Sequence, residues 1–195
     1  TGKQEKIRNH VSGKTRNKSA NVVIIDYGSS NLFSVEYALK SIGANVEITN
    51  APNKIAKADG LIIAGVGAFG DGMKGMQESG LLSTIQNCAV SGKPILGICL
   101  GMQLFMSAGE EFGSHEGLGL IKGMVIKLKE SNGSEPEVKV PHIGWGRIEH
   151  PMIDGKYSDW SKSSILKDVK PGDLLYFIHS YMVLPEDPSL ILAET

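Results

Sequence analysis

A chain of 195 residues, 41% hydrophobic and 21% charged, is the size of one globular domain and can bury a sizeable core. Its formal net charge of −1 gives no electrostatic case for nucleic acid or an anionic membrane as the main partner, and no apolar run reaches the roughly 18 residues of a membrane span. The start carries no signal-peptide pattern, and Cys88 and Cys99 form neither a metal-ligand spacing nor a disulfide framework, which points to a reducing, cytoplasmic setting.

Residues 1–20 carry six basic side chains against Glu5 alone and lack hydrophobic periodicity, so they read as a disordered basic extension. From Asn21 to Thr195 the pattern is that of one domain. Val22-Val23-Ile24-Ile25 is a short apolar run, as expected of a strand buried on both faces. A polar loop, Asp26 to Asn31, leads into a helical pattern through Val35, Ala38, Leu39 and Ile42, closed by Gly43. Val46-Glu47-Ile48 and Leu61-Ile62-Ile63-Ala64 are the second and third strands. A helix containing Met76, Leu81, Leu82 and Ile85 precedes a fourth, Pro94 to Ile98. Strands alternating with helices predict an α/β fold with a mainly parallel central sheet and helices on both faces. After about residue 118 the texture changes. Residues 124–128, 138–140 and 174–178 read as strands without long helices between them, and residues 149–173 as a polar, turn-rich excursion. In open α/β sheets the site lies at the carboxyl ends of the strands, so the loops after Ile25, Ala64 and Ile98 should converge.

Gly97-Ile98-Cys99-Leu100-Gly101 is the most informative stretch. An apolar strand enters it and a helical pattern, Met102 to Met106, leaves it, which is the arrangement of a nucleophile elbow with cysteine as the nucleophile. The glycines permit a sharp strand-to-helix turn that lifts the sulfur clear of the sheet. A helix N-terminus there would favour the thiolate, and the Leu100 N–H would point to where an oxyanion forms. Cys88 sits in an ordinary polar context and reads as structural.

With Gly97, Cys99, Gly101 and Gln103 in place, the chain resembles the class I (triad) glutamine amidotransferases, of flavodoxin-like fold. Gln103 separates it from cysteine-elbow relatives such as the DJ-1-like proteins. Ala64-Gly65-Val66-Gly67-Ala68-Phe69-Gly70 resembles the family's oxyanion strand, with Ala64 in place of the usual proline. Ile25 to Gly28 with Asn31-Leu32, Pro141 to Trp145, and Tyr176 to Tyr181 narrow the resemblance to the glutaminase subunits of imidazole glycerol phosphate synthase, of histidine biosynthesis. It covers about Asn21 to Thr195.

The resemblance implies that Cys99 attacks the glutamine side-chain amide and that the N–H groups of Val66 and Leu100 hold the oxyanion. Ammonia leaves and water hydrolyses the thioester. It also implies that Gly65, Gly67, Gln103, Ser180 and Tyr181 border the glutamine. Asn31, Pro141, His142 and Trp145 would face a (β/α)₈-barrel cyclase subunit that receives the ammonia; no metal or organic cofactor is implied. Two departures lie on the docking side: Gly146 stands where the family usually has Asn, and residues 149–173 look longer than usual. They keep open the alternative of an amidotransferase subunit of surface-polysaccharide synthesis, while a real absence of the family's His-Pro-Glu motif would favour a catalytically silent binding subunit. The family's acid/base His and its Glu belong to a late His-Pro-Glu motif. Of the five histidines, His10, His115, His142, His150 and His179, none lies in such a motif. The expectation is therefore a C-terminally truncated, inactive fragment, with the catalytic His and Glu beyond Thr195.

Overall fold

Successive side chains of a strand point to opposite faces, and the first four strands pack a core against each face. The computed structural model describes residues 20–195 apart from residues 30, 130–138, 154, 158 and 161–164. The extension expected over residues 1–20 thus lies outside the described residues except for Ala20, as does Val138 of the strand expected over 138–140. Strands β1 (Asn21–Ile25), β2 (Asn45–Thr49), β3 (Gly60–Gly65) and β4 (Ile95–Cys99) form one parallel sheet in the order β2-β1-β3-β4. On one face Val23, Ile25, Leu61 and Ile63 meet Ile55 of helix α2 (Pro52–Lys57), Met76 of α3 (Phe69–Glu78), Ile85 and Cys88 of α4 (Leu82–Val90) and Leu100 of α5 (Leu100–Gln103). On the other, Ile24, Ile62 and Ala64 meet Leu32, Val35 and Leu39 of α1 (Leu32–Ser41). The expected parallel sheet with helices on both faces is present.

Local chemistry sets the ends of these elements. Gly43 (φ 83°) closes α1 as expected, its N–H donating to the Lys40 carbonyl while that of Ala44 donates to Leu39. The single helix expected through Met76 to Ile85 is instead two. Gly80 takes φ 68°, a conformation natural to glycine, and breaks the chain between α3 and α4. Helix α2, opened by Pro52, was hidden in a short polar stretch.

The second half holds β5 (Ala108–Gly109), β6 (His115–Glu116), β7 (Gly123–Lys127), β8 (His142–Arg147), β9 (Met152–Ile153), β10 (Lys156–Tyr157), β11 (Leu174–His179) and β12 (Tyr181–Pro185). A mixed sheet runs β12-β7-β5-β6, β8 pairs antiparallel with β11, and β9 with β10. The strand expected over 138–140 is observed further on, as β8, after the cis Val140–Pro141 peptide. The 149–173 excursion is anchored by Trp160, which is buried and donates its indole N–H to the Leu192 carbonyl at 2.6 Å. No helix among the described residues is long and apolar enough to cross a membrane.

Phe69, fully buried at the start of α3, joins the two halves. A Cβ on Gly109 would lie 2.8 Å from its ring, and one on Gly117 3.1 Å. Phe69→Ala should therefore lower unfolding free energy by about 3–5 kcal/mol in urea titration. A loss under about 1 kcal/mol would mean the two halves do not share this contact.

Candidate active site

Cys99 is the last residue of β4 and the residue before α5, with φ 54° and ψ −118°. A non-glycine residue held at positive φ is strained by about 1–3 kcal/mol and persists only where its surroundings over-determine it. The surroundings here are two glycines. A Cβ on Gly101 would sit 1.7 Å from the Ile63 carbonyl oxygen, and one on Gly97 2.6 Å from Met102 Cα. The chain after the cysteine therefore passes directly over β3, and the thiol projects into solvent. The elbow read from the sequence is present in its backbone geometry. Its helix is shorter than expected: α5 ends at Gln103, and the chain continues in turns to Met106. One helical turn carries little of a macrodipole, so electrostatic help from that source is small.

Gly65 ends β3 directly beside Cys99, as its register partner. The segment after it differs from expectation. The Val66 N–H donates to Ser29 Oγ at 3.3 Å instead of facing the thiol, Gly67 has φ 126°, and the Val66 side chain is 48% exposed. Leu100, whose N–H was the other expected oxyanion donor, is buried and follows Cys99 directly. Next to this pair lies Tyr27, whose hydroxyl is buried without a hydrogen-bond partner. Burial pushes the Tyr27 pKa up; Ser29 Oγ offsets part of that rise without reaching good hydrogen-bond geometry, and the nearby Cys99 adds to it.

Gln103 is buried, and its side-chain amide donates to the Tyr181 carbonyl at 3.3 Å. It thus ties the elbow to the start of β12, where Ser180 and Tyr181 lie; the Ser180 carbonyl accepts from Leu128 N–H at 2.9 Å. The same Tyr181 carbonyl lies 3.0 Å from His179 Nδ1, which must be the donor, so in a neutral His179 the Nε2 accepts from His142 Nδ1 at 3.3 Å. His179 has both ring nitrogens engaged there, and no described hydrogen bond links a histidine to Cys99.

Of the expected docking residues, only His142 is tied to this cluster, through His179. Asn31 is left-handed (φ 70°), exposed, and accepts from Ser34 Oγ at 2.6 Å just before α1. Pro141 follows the cis bond, and His142 stacks on Phe177 at 5.4 Å. Trp145 is 69% exposed and meets Tyr176 edge-on at 5.5 Å. With Ile143 and Ile178 it leaves one face of the β8–β11 ribbon apolar and exposed.

Sequence reading passed over Glu111. Its carboxylate accepts the Phe69 N–H at 2.9 Å, capping α3 where the Gly65–Ala68 segment ends, and it lines a cavity of about 750 Å³ with Ala68, Asp71, Lys74 and His115. The adjacent Glu110-Glu111 pair, a few residues after the elbow, was the available signal. Among the described residues no group of three or more His, Cys, Asp or Glu side chains is placed to hold a metal ion.

Residues 23–193 match the model of the family "Glutamine amidotransferase class-I". The chain belongs to the class-I glutamine amidotransferases. It is 44% identical over 177 residues to "Imidazole glycerol phosphate synthase subunit HisH 1" of Legionella pneumophila (strain Lens), spanning 90% of this chain and 81% of that relative. Identity to the HisH subunit of Aquifex aeolicus is 45%, over 89% of this chain and 77% of that one. A solved structure described as a glutamine amidotransferase superposes with a TM-score of 0.64 at 14% identity, over 89% of this chain and 79% of that one, a likeness in fold.

The two thiols of this amidotransferase differ in access, since Cys99 is exposed and Cys88 is 5% exposed. Iodoacetamide with peptide mapping should label Cys99 well before Cys88 in the folded protein. Equal labelling of both would contradict the elbow geometry.

Proposed function

We propose that this amidotransferase is the glutamine-hydrolysing subunit of an imidazole glycerol phosphate synthase, working in the cytoplasm and passing ammonia to a cyclase subunit in histidine biosynthesis. The observation that carries the reading is the strained Cys99 turn in a chain 44% identical, over 90% of its length, to a HisH subunit.

The chemistry follows from where the groups stand. Cys99 Sγ attacks the side-chain carbonyl carbon of glutamine, the C–N bond breaks as ammonia departs with a proton, and water then cleaves the thioester to glutamate. The oxyanion formed in each step needs two donors, and the Leu100 and Val66 N–H groups are the candidates. Gly65 and Gly67 keep the second of these mobile, while Gln103, Ser180 and Tyr181 form the opposite wall. Glu111, beside the end of the oxyanion segment, adds a carboxylate suited to an amino-acid ammonium group. His142 and His179 are bonded to each other, and His179 also donates to the Tyr181 carbonyl, so neither of them is placed to shuttle the proton at Cys99.

The docking face is read from exposure. Trp145, Ile143, Tyr176 and Ile178 present an apolar surface on the ribbon that begins at Pro141 and His142, and large aromatic side chains in such a place suit a protein partner. The alternatives of a polysaccharide-pathway subunit and a silent binding subunit have no specific observation in their favour.

The test uses the gene-encoded protein mixed with the cyclase subunit. Cys99→Ala should lower the glutamine-dependent rate of product formation by roughly a thousandfold or more. The rate with ammonium salts in place of glutamine should stay near wild type, and Cys88→Ala should leave both rates largely intact. Glutamine-dependent synthesis that survives Cys99→Ala would overturn the assignment.

A further inference from the structure

The ribbon formed by β8 and β11 has two unlike faces. Side chains alternate along each strand, and register partners share a face. Ile143 with Ile178 and Trp145 with Tyr176 therefore make the outer, exposed face, and His142 with His179 and Gly144 with Phe177 the inner one. The ribbon is a separate two-stranded sheet, and such a pair needs bonds or packing from outside to hold its place. His179 supplies one of those bonds. Its Nδ1–H donates at 3.0 Å to the carbonyl of Tyr181, two residues on. The imidazole thus closes over the corner at Ser180, where β11 turns into β12. His142 holds that ring in its tautomer, donating from Nδ1 to Nε2 of His179 at 3.3 Å while stacking on Phe177. The Tyr181 carbonyl has two lone pairs, and the second takes the Gln103 side-chain amide at 3.3 Å. A carbonyl bound from two sides cannot tilt without stretching one of the bonds.

We propose that His142 and His179 are positioning residues for glutamine binding. Their paired imidazoles fix the Ser180 corner and, through the Tyr181 carbonyl, the orientation of the Gln103 amide. Tying the amide nitrogen of Gln103 to Tyr181 decides which way its oxygen points, and so which atom it shows to a ligand. Gln103 is buried and sits on α5, one turn after Cys99, so its orientation is set relative to the thiol. Ser180, Tyr181 and Gln103 are then held as one wall, and neither histidine touches the reacting atoms. The role rests on the glutaminase reading above, in which those three residues border the glutamine.

The gene-encoded protein is assayed with the cyclase subunit, following glutamine hydrolysis over a range of glutamine concentrations. Two substitutions separate hydrogen bonding from packing. His179→Asn places an amide N–H where Nδ1–H stood, and His179→Phe keeps a ring of similar size with no N–H. His179→Phe should raise KM for glutamine about fivefold and leave kcat within about twofold of wild type, the signature of one lost hydrogen bond that supports substrate and transition state alike. His179→Asn should keep KM within about twofold of wild type. His142→Phe, which preserves the ring stack and the His179–Tyr181 bond, should move KM in the same direction as His179→Phe but less far. If the imidazoles serve only to fill space, the order reverses, with Asn worse than Phe. That order, a wild-type KM in both Phe variants, or a fall in kcat with KM unmoved would overturn the positioning role alone. A wild-type complex that does not hydrolyse glutamine would overturn the glutaminase reading beneath it.

Discussion

The site depends on how closely the chain after Cys99 passes over the third strand. Gly101 lies against the Ile63 carbonyl with no room for a side chain, and a Cβ on Gly97 would lie 2.6 Å from Met102 Cα. Those two contacts leave the residue between them little choice, and Cys99 takes φ 54° and ψ −118°. The strain of about 1–3 kcal/mol that this conformation implies is offset by the packing of Leu100, Leu104 and Ile63 in the main core. A thiol raised from the sheet edge is thus a product of core packing as much as of the residues around it.

The parallel sheet supplies the rest of the geometry. Because β1, β3 and β4 run in the same direction, the loop after Ile25, the segment after Gly65 and the elbow all emerge at one edge. This brings Ser29, Val66 and Cys99 together from three distant parts of the chain. The mixed sheet then leans on that edge through the Gln103 amide and the Tyr181 carbonyl, which also accepts from His179. The ribbon carrying Trp145 and the elbow helix therefore share an acceptor, through His179 on one side and Gln103 on the other.

Much of this was legible in the sequence, for physical reasons that differ by element. Apolar runs such as Val22–Ile25 and Leu61–Ala64 announce buried parallel strands because both faces must be covered. Glycines at 97 and 101 announce the elbow because no other residue fits. What stayed hidden was set by contacts between distant residues. Nothing in Ser29 alone reveals that its hydroxyl meets the Val66 N–H, nor does Gln103 reveal that its amide is tied to Tyr181. Trp145 could be core or surface by composition, and only its pairing with Tyr176 on an uncovered ribbon face decided it. The break at Gly80 was masked by apolar residues continuing at helical spacing on both sides.

The contact between Gly101 and the Ile63 carbonyl is the most direct point at which to test the account. Gly101→Ala should be compared with wild type for thermal or urea stability and for the rate at which a glutamine-like alkylating agent labels Cys99. The added methyl should cost about 1–3 kcal/mol or more through overpacking against backbone that cannot yield, and labelling should fall sharply as the turn opens. A Gly101→Ala protein that unfolds like wild type and labels at the wild-type rate would show that the glycine contact does not set the posture of Cys99.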